Sequence, residues 1–300
     1  MKLSSTNLFL LSHCAISAAF QAGQIISNYS ARSVTVKKKQ SGDTLASQVV
    51  TEVDHLSQDC ILQTLLPTCD MFDLALLSEE IPDNRERLKK DFYWCIDPLD
   101  GTLPFIQSTP GYSVSIALVA HNGTSVIGVI YDPVEKTLYH AVKGCGAFRN
   151  GKSLTPGFAS ISSDQTLTWI ADQSFEQHPL FSTVMTELEN IAKQIGCTGL
   201  TTVLQGGAAM NACWVLEKQP ACYFKLPKPE PGGGSLWDFA ATACIFQEAG
   251  ALVSDINGNA LELNRHDSTF MNHQGALYSS HAMPSERIIE LYDKLKITGL

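Results

Sequence analysis

Apolar positions along this chain change period several times, and the changes predict its elements. Leu8 to Leu11, then Cys14, Ala18, Ala22, Ile25 and Ile26, recur at helical spacing. The first element is therefore expected to be an amphipathic helix ending near Tyr29. Residues 34–42 are basic and then polar (Lys37-Lys38-Lys39-Gln40-Ser41-Gly42), which reads first as a mobile, solvated surface loop and second as one that brings a lysine to an acidic site. Val49-Val50-Thr51 leads into Glu52 and Asp54. A second helix is expected from there to about Leu66, with Leu56, Cys60, Leu65 and Leu66 as apolar positions and Pro67 as its stop. Leu74 to Leu77 is a short strand that delivers Ser78-Glu79-Glu80 at its C-terminal end, and residues 82–90 are charged loop or short helix. Phe92, Tyr93, Trp94, Cys95 and Ile96 form a continuous apolar run, the mark of a buried strand. Residues 112–119, 126–131 and 137–142 read as strands punctuated by Asn122-Gly123, Asp132-Pro133, Gly144-Cys145-Gly146 and Asn150-Gly151. Together they make an antiparallel meander over about 112–155.

The second half changes character. A strand is expected over 166–171, a helix over 180–195, and a turn at Gly206-Gly207 entering a helix that ends near Glu217. Tyr223-Phe224 is a short strand, 227–235 a Pro/Gly-rich loop, and 237–248 a helix stopped by Gly250, with Phe239, Ala243 and Phe246 on one face. Residues 250–255 read as another strand, closed by the turn Asn257-Gly258, ahead of a last helix over about 284–295. Strands and helices alternate without βαβ regularity, so stacked layers are expected rather than a doubly wound sheet.

The densest chemistry lies in Asp97-Pro98-Leu99-Asp100-Gly101-Thr102, directly after the buried strand. Pro98 presets a turn, which lets Asp97 and Asp100 converge on one point. Two acidic oxygens from one tight turn suit a hard divalent cation such as Mg²⁺. Backbone N–H groups after Gly101 hold an anion if a helix begins there. Asp54, Glu79, Glu80 and Asp238 also sit at strand or helix ends. Glu79-Glu80 also fits a solvated turn, and Asp238 a helix cap.

The bulk numbers narrow the classes. With 300 residues, 44% hydrophobic, the chain can fill one large domain or two intimate subdomains. A net charge of −9 argues against binding nucleic-acid polymers through phosphate neutralisation, yet leaves a small phosphorylated substrate open, because bound metal reverses the sign of a site locally. Nine cysteines without a CxxC pair suit free thiols in a reducing cytoplasm, and eight histidines without HExxH spacing give no zinc site. Met1-Lys2 before Leu8 to Leu11 faintly imitates a secretory signal, but Ser12 and His13 break the run. No stretch of about 18 uninterrupted apolar residues predicts a membrane span.

At this point the residues resemble a known family. Asp97-Pro-Leu-Asp-Gly-Thr102 and Trp237-Asp238-Phe-Ala-Ala…Glu248-Ala-Gly250 look like the two signatures of the inositol monophosphatase superfamily, and Ser78-Glu79-Glu80 and Val50-Thr51-x-x-Asp54 match its other segments in order. The resemblance implies a five-layer αβαβα fold and a Mg²⁺-dependent, typically lithium-sensitive phosphomonoesterase. By carry-over, Glu79, Asp97, the Leu99 carbonyl, Asp100 and Asp238 would hold two or three Mg²⁺. The Gly101 and Thr102 amides would bind phosphate. The Thr102 hydroxyl and Asp54, with Glu79, would position or deprotonate the attacking water. Glu79, Leu99, Asp100, Gly101, Thr102, Gly207, Ala208 and Asp238 would line the substrate. Residues 1–160 would form a subdomain carrying the metal motifs, and 161–300 one supplying Asp238 and the substrate wall. A cytoplasmic enzyme acting on a small phosphorylated metabolite follows, with a homodimer as what many relatives form.

Within the superfamily, the spacing Tyr93-Trp94-x-x-Asp97 and Phe270-Met-Asn-x-x-Gly-Ala-Leu277 look most like the 3′(2′),5′-bisphosphate nucleotidase branch. Leu103-Pro104-Phe105 departs from that branch's Lys-Glu-Phe. Gly207-Ala208-Ala209-Met210-Asn211 looks closer to inositol monophosphatases, but where those place an inositol-binding glutamate before the Trp-Asp pair this chain has a longer Pro/Gly loop, with Glu230 as a loose counterpart. Lysines at 225 and 228 fit either a second phosphate or plain solvation. The leading expectation is hydrolysis of adenosine 3′,5′-bisphosphate, with an inositol or sugar monophosphatase as alternative. A non-catalytic binding protein on the same scaffold is disfavoured by the five intact ligand positions.

Overall fold

A computed structural model describes residues 3–30, 36–38, 49–155 and 161–297. Helix α1 (Ser5–Ser30) is followed by a short antiparallel pair, β1 (Val36–Lys38) and β2 (Val49–Thr51), so part of the expected basic loop is strand; residues 34–35 and 39–42 of that loop lie outside the described residues. Helix α2 (Glu52–Phe72) then runs through Pro67 instead of stopping there. Pro67 lies on the exposed face, while Leu65 and Thr68 beside it are buried. The Thr68 hydroxyl takes the Trp94 indole N–H at 2.9 Å and donates to the Leu65 carbonyl at 2.6 Å. Tertiary anchoring thus carries the helix past its breaker. The buried stripe of α2 is Val53, Ser57, Ile61, Leu65 and Thr68, and Leu66 faces outward.

A seven-stranded sheet follows, made of β3 (Ala75–Ser78), β4 (Phe92–Asp100), β5 (Ser113–Ala120), β6 (Ser125–Asp132), β7 (Thr137–Val142), β8 (Ala147–Arg149) and β9 (Lys152–Ser153) in that spatial order. Strand β3 is parallel to β4, and the rest is the expected antiparallel meander. The five-residue helix α3 (Thr102–Ile106) links β4 to β5. The second half supplies β10 (Leu167–Ala171), α4 (Phe181–Gln194), β11 (Leu200–Leu204), α5 (Ala208–Glu217), β12 (Ala221–Lys225), α6 (Leu236–Ala249), β13 (Leu252–Ser254), β14 (Ala276–Ser279) and α7 (Ala282–Ile297). Its five strands are ordered β11-β10-β12-β14-β13. Strands β11 and β14 were not expected from the sequence.

Side-chain alternation assigns the layers. On β4, Trp94 and Ile96 join α1 and α2 in one apolar cluster, while Tyr93 and Cys95 face the other way, onto α5 and α6. On β12, Tyr223 points into that same middle cluster, and Cys222 and Phe224 point to α4 and α7. The order is α1/α2, seven-stranded sheet, α5/α6, five-stranded sheet, α4/α7: the five-layer αβαβα sandwich, with a helical layer shared by the two sheets. Helix α1 is long and apolar enough over Ser5–Tyr29 to cross a membrane by length and composition alone. Here Leu11, Ala15, Ala18, Ala22 and Ile26 line its fully buried face against the outer cluster.

Candidate active site

The corner at the end of β4 is a bulge, not the expected turn. Asp97 pairs with Ser115 and Asp100 with Ser113, so β4 carries one residue more than its partner. Pro98 has no N–H to give the ladder, which is why the extra residue falls there. The exposed backbone groups find partners nearby. The Leu99 N–H donates to Asp97 Oδ1 at 3.0 Å, and the Ser57 hydroxyl of α2 donates to the Pro98 carbonyl at 2.6 Å. Asp97 and Asp100 are 1% and 4% exposed. Gly101 then turns the chain with φ +87° into α3, where an added Cβ would sit 2.7 Å from the Gly111 carbonyl oxygen; only glycine fits. Pro104 and Phe105 of α3 are buried, and Phe105 meets Tyr112 edge-on. The departure at Leu103-Pro104-Phe105 is thus met by packing.

Two further helices converge on this corner. Asp100 accepts the Ala208 N–H at 3.0 Å through one oxygen and the Ala209 N–H at 2.9 Å through the other, at the start of α5. Gly207 lies so close that a Cβ there would stand 2.5 Å from Asp100 Oδ2 and 2.6 Å from the Gly101 backbone. Asp238 enters on the first turn of α6, where it and Ser235 form a capping box: the Ser235 N–H donates to Asp238 Oδ2. The cap reading and the cluster reading both hold, because Asp238 also closes on the corner. Oxygens of Asp97, Asp100 and Asp238 all lie within 4.8 Å of one another. The Ser115 hydroxyl ties the Trp237 carbonyl at 3.0 Å, fixing α6 over β5.

Burial pushes the Asp97 carboxyl well up, and the charges of Glu79, Asp100 and Asp238 push it further, against the Leu99 N–H bond. Asp100 is raised by burial and Asp238, against the Ala209 and Ala208 amides and Lys225. Acidic oxygens so mutually repelling, each with lone pairs left over, are a donor set that fits a hard divalent cation.

The remaining expected residues take distinct places. Glu79 is half-buried, its N–H extending the β3–β4 pairing to Ile96; it stands outside the three-carboxylate cluster but close enough to act on Asp97. Asp54 is buried on the first turn of α2. The Leu99 carbonyl accepts the Thr102 hydroxyl at 3.4 Å. The Gly207 N–H goes to the Gly111 carbonyl at 2.7 Å and the Ala208 N–H to Asp100, so these two amides serve the corner itself. Glu230 is exposed on its loop.

Sequence reasoning picked out Lys225 but missed the polar set that holds it. Asp172, just after β10, accepts from Lys225 Nζ at 2.8 Å, Asn211 Nδ2 at 3.1 Å and the Tyr223 hydroxyl at 3.2 Å. Lys225 Nζ stands 5.6 Å from the Phe239 ring centre, next to Asp238. Burial alone would lower this ammonium's pKa, but Asp172, Asp238 and Asp100 outweigh it and hold the charge. The sequence held two signals for it: Lys225, which fits a second phosphate, and Asn211, a lone amide in the apolar run 208–216.

The family model of the inositol monophosphatase family matches residues 10–296. A Nus factor SuhB of Pasteurella multocida is 32% identical over 246 residues, covering 81% of this chain and 84% of its own. Inositol monophosphatase 2 of Homo sapiens is 30% identical, covering 83% and 81%. A 3′(2′),5′-bisphosphate nucleotidase CysQ of Aggregatibacter actinomycetemcomitans is 30% identical, covering 91% and 94%. Among solved structures, an IMPase of Thermotoga maritima superposes with a TM-score of 0.71 at 22% identity, covering 94% and 96%.

Proposed function

The chain belongs to the inositol monophosphatase family and is a metal-dependent phosphoric monoester hydrolase; from that premise we propose that it is a 3′(2′),5′-bisphosphate nucleotidase, converting adenosine 3′,5′-bisphosphate to AMP and phosphate. In this reading Asp97, Asp100, Asp238, Glu79 and the Leu99 carbonyl hold Mg²⁺. When bound, the ion acidifies water and offsets charge on the phosphate and the leaving oxygen. The amides of Gly101 and Thr102, at the start of α3, take the equatorial phosphate oxygens. Pro104 has no N–H, so the cradle ends at Leu103. The Thr102 hydroxyl and Asp54, with Glu79, orient the attacking water and accept its proton. Gly207 and Ala208 shape the adjoining wall by holding Asp100 in place. The same reading takes a cytoplasmic, lithium-sensitive enzyme with it.

The observation that carries the substrate choice is Lys225. A fixed ammonium beside the carboxylate cluster favours a substrate with a second anionic group over a neutral polyol. A second reading, an inositol monophosphatase, draws on Gly207-Ala208-Ala209 and on the relative of that name. Phosphate release with Mg²⁺ from adenosine 3′,5′-bisphosphate, inositol 1-phosphate and fructose 1,6-bisphosphate, with and without Li⁺, separates the two. The nucleotide is expected to lead. A preference for the inositol ester above about tenfold in kcat/KM, ~1.4 kcal/mol, reverses the assignment.

A further inference from the structure

Asp172 touches none of the three clustered carboxylates, yet its hydrogen bonds lead to both sides of the site. One oxygen faces Asn211, which is fully buried on α5. The amide of Asn211 is almost fully used: Nδ2 donates to Asp172 and, at 3.0 Å, to the Gly206 carbonyl, while Oδ1 accepts the Gly206 N–H at 3.1 Å. Asn211 therefore grips both polar groups of Gly206 and fixes the turn from which α5 starts. The next residues of that turn, Gly207, Ala208 and Ala209, are the ones in contact with Asp100. The second Asp172 oxygen holds Lys225.

We propose that Asp172 is a positioning residue that locks the α5 turn, and with it Asp100, through Asn211, while fixing Lys225 on the opposite wall through its other oxygen. The two oxygens thus do separable jobs. Toward Asn211 any acceptor oxygen serves; toward Lys225 the negative charge matters. Groups that orient a metal-binding side chain commonly shift metal affinity or activity by about 10–100-fold when removed. The inference rests on the phosphatase reading above.

The test compares Asp172→Asn with Asp172→Ala in the full chain. Calorimetric titration with Mg²⁺ alone and steady-state kinetics on adenosine 3′,5′-bisphosphate are both measured. Asp172→Ala is expected to weaken Mg²⁺ binding about tenfold and to raise KM. Asp172→Asn, which keeps an amide oxygen for Asn211, is expected to bind Mg²⁺ within about twofold of the parent while KM still rises about fivefold or more. Its shape matches the parent, so it reports even if the alanine variant fails to fold. Combined with Lys225→Met, Asp172→Asn should raise KM no further than Lys225→Met alone. Equal loss of Mg²⁺ affinity in both Asp172 variants, unchanged affinity in Asp172→Ala, or additive KM effects with Lys225→Met would each overturn the inference. A parent protein that neither binds Mg²⁺ nor releases phosphate overturns the functional reading instead.

Discussion

The corner at the end of β4 and the wall at the end of β12 meet at Asp100 and Asp238 but are built in opposite ways. The corner is contiguous: residues 97–102 supply two acids, a proline-centred bulge, a left-handed glycine and the first turn of α3. Its polar groups are tied to backbone or to α2 and α5. The wall is assembled from residues 172, 211 and 225 and from the loop after β12. In that loop Gly232, Gly233 and Gly234 all have positive φ, and its ends are pinned by Lys228–Asn272 and Met271–Gly234 bonds. The corner's tolerances are set by van der Waals contact, the wall's by a few charged hydrogen bonds. In the proposed reading, reaction type belongs to the first and substrate choice to the second, so the family's chemistry is easier to read than its substrate.

Four experiments test that division, in falling order of effect. Asp100→Asn swaps an acceptor oxygen for an NH₂ that must face the Ala208 or Ala209 N–H, and removes a charge from the cluster. A loss of at least about a thousandfold in Mg²⁺-dependent kcat/KM is expected for every substrate; near-normal turnover would sink the corner as the site of chemistry. Gly207→Ala drives a Cβ into Asp100 and the Gly101 backbone. We expect roughly a hundredfold loss, again for all substrates alike, the scale of a displacement of about 1 Å. Lys225→Glu acts on the wall, so kcat/KM should fall about tenfold for a bisphosphate while changing less than about twofold for a monophosphate of a neutral polyol. Equal losses on both would erase the distinction between the two regions.

The smallest effect is on stability against pH. Asp97 and Asp100 titrate above their ordinary value of 3.8 in the folded chain. Between that value and the raised ones the folded state binds more protons than the unfolded state, so the stability of the metal-free protein falls as pH rises through the window. Mg²⁺ needs the ionised carboxylates, so its stabilisation grows over the same rise. Differential scanning calorimetry should show a larger Mg²⁺-induced gain in Tm at about pH 8 than at about pH 5, by a few degrees, at about 2–4 °C per kcal/mol. A gain independent of pH would separate the ion from the buried pair.

Much of this was legible where the determinants are neighbours in sequence. The meander, the buried strand before Asp97 and the Asp238 helix follow from period and turn residues alone. The misses share a physical cause. Pro98 marks a break in pairing, but whether it makes a turn or a bulge depends on β5 lying opposite. Pro67 would end an isolated helix; the Trp94 indole, 26 residues beyond Thr68, holds its next turn through that hydroxyl. Strand β14 is four residues long and needs β12 and β13 on either side, and β11 is a threonine-rich edge strand paired on one side only. The Asp172 hub joins residues up to 53 positions apart and leaves no local pattern.

The capping box at α6 has a consequence for anyone probing this protein in solution. Asp238 both faces the cluster and caps the first turn of its own helix through the Ser235 N–H, so an ion held there as proposed would also act on that N–H. Hydrogen exchange at the Ser235 amide is then expected to report occupancy without any substrate: slower when the carboxylate is held by ion and cap together, faster when the ion is removed.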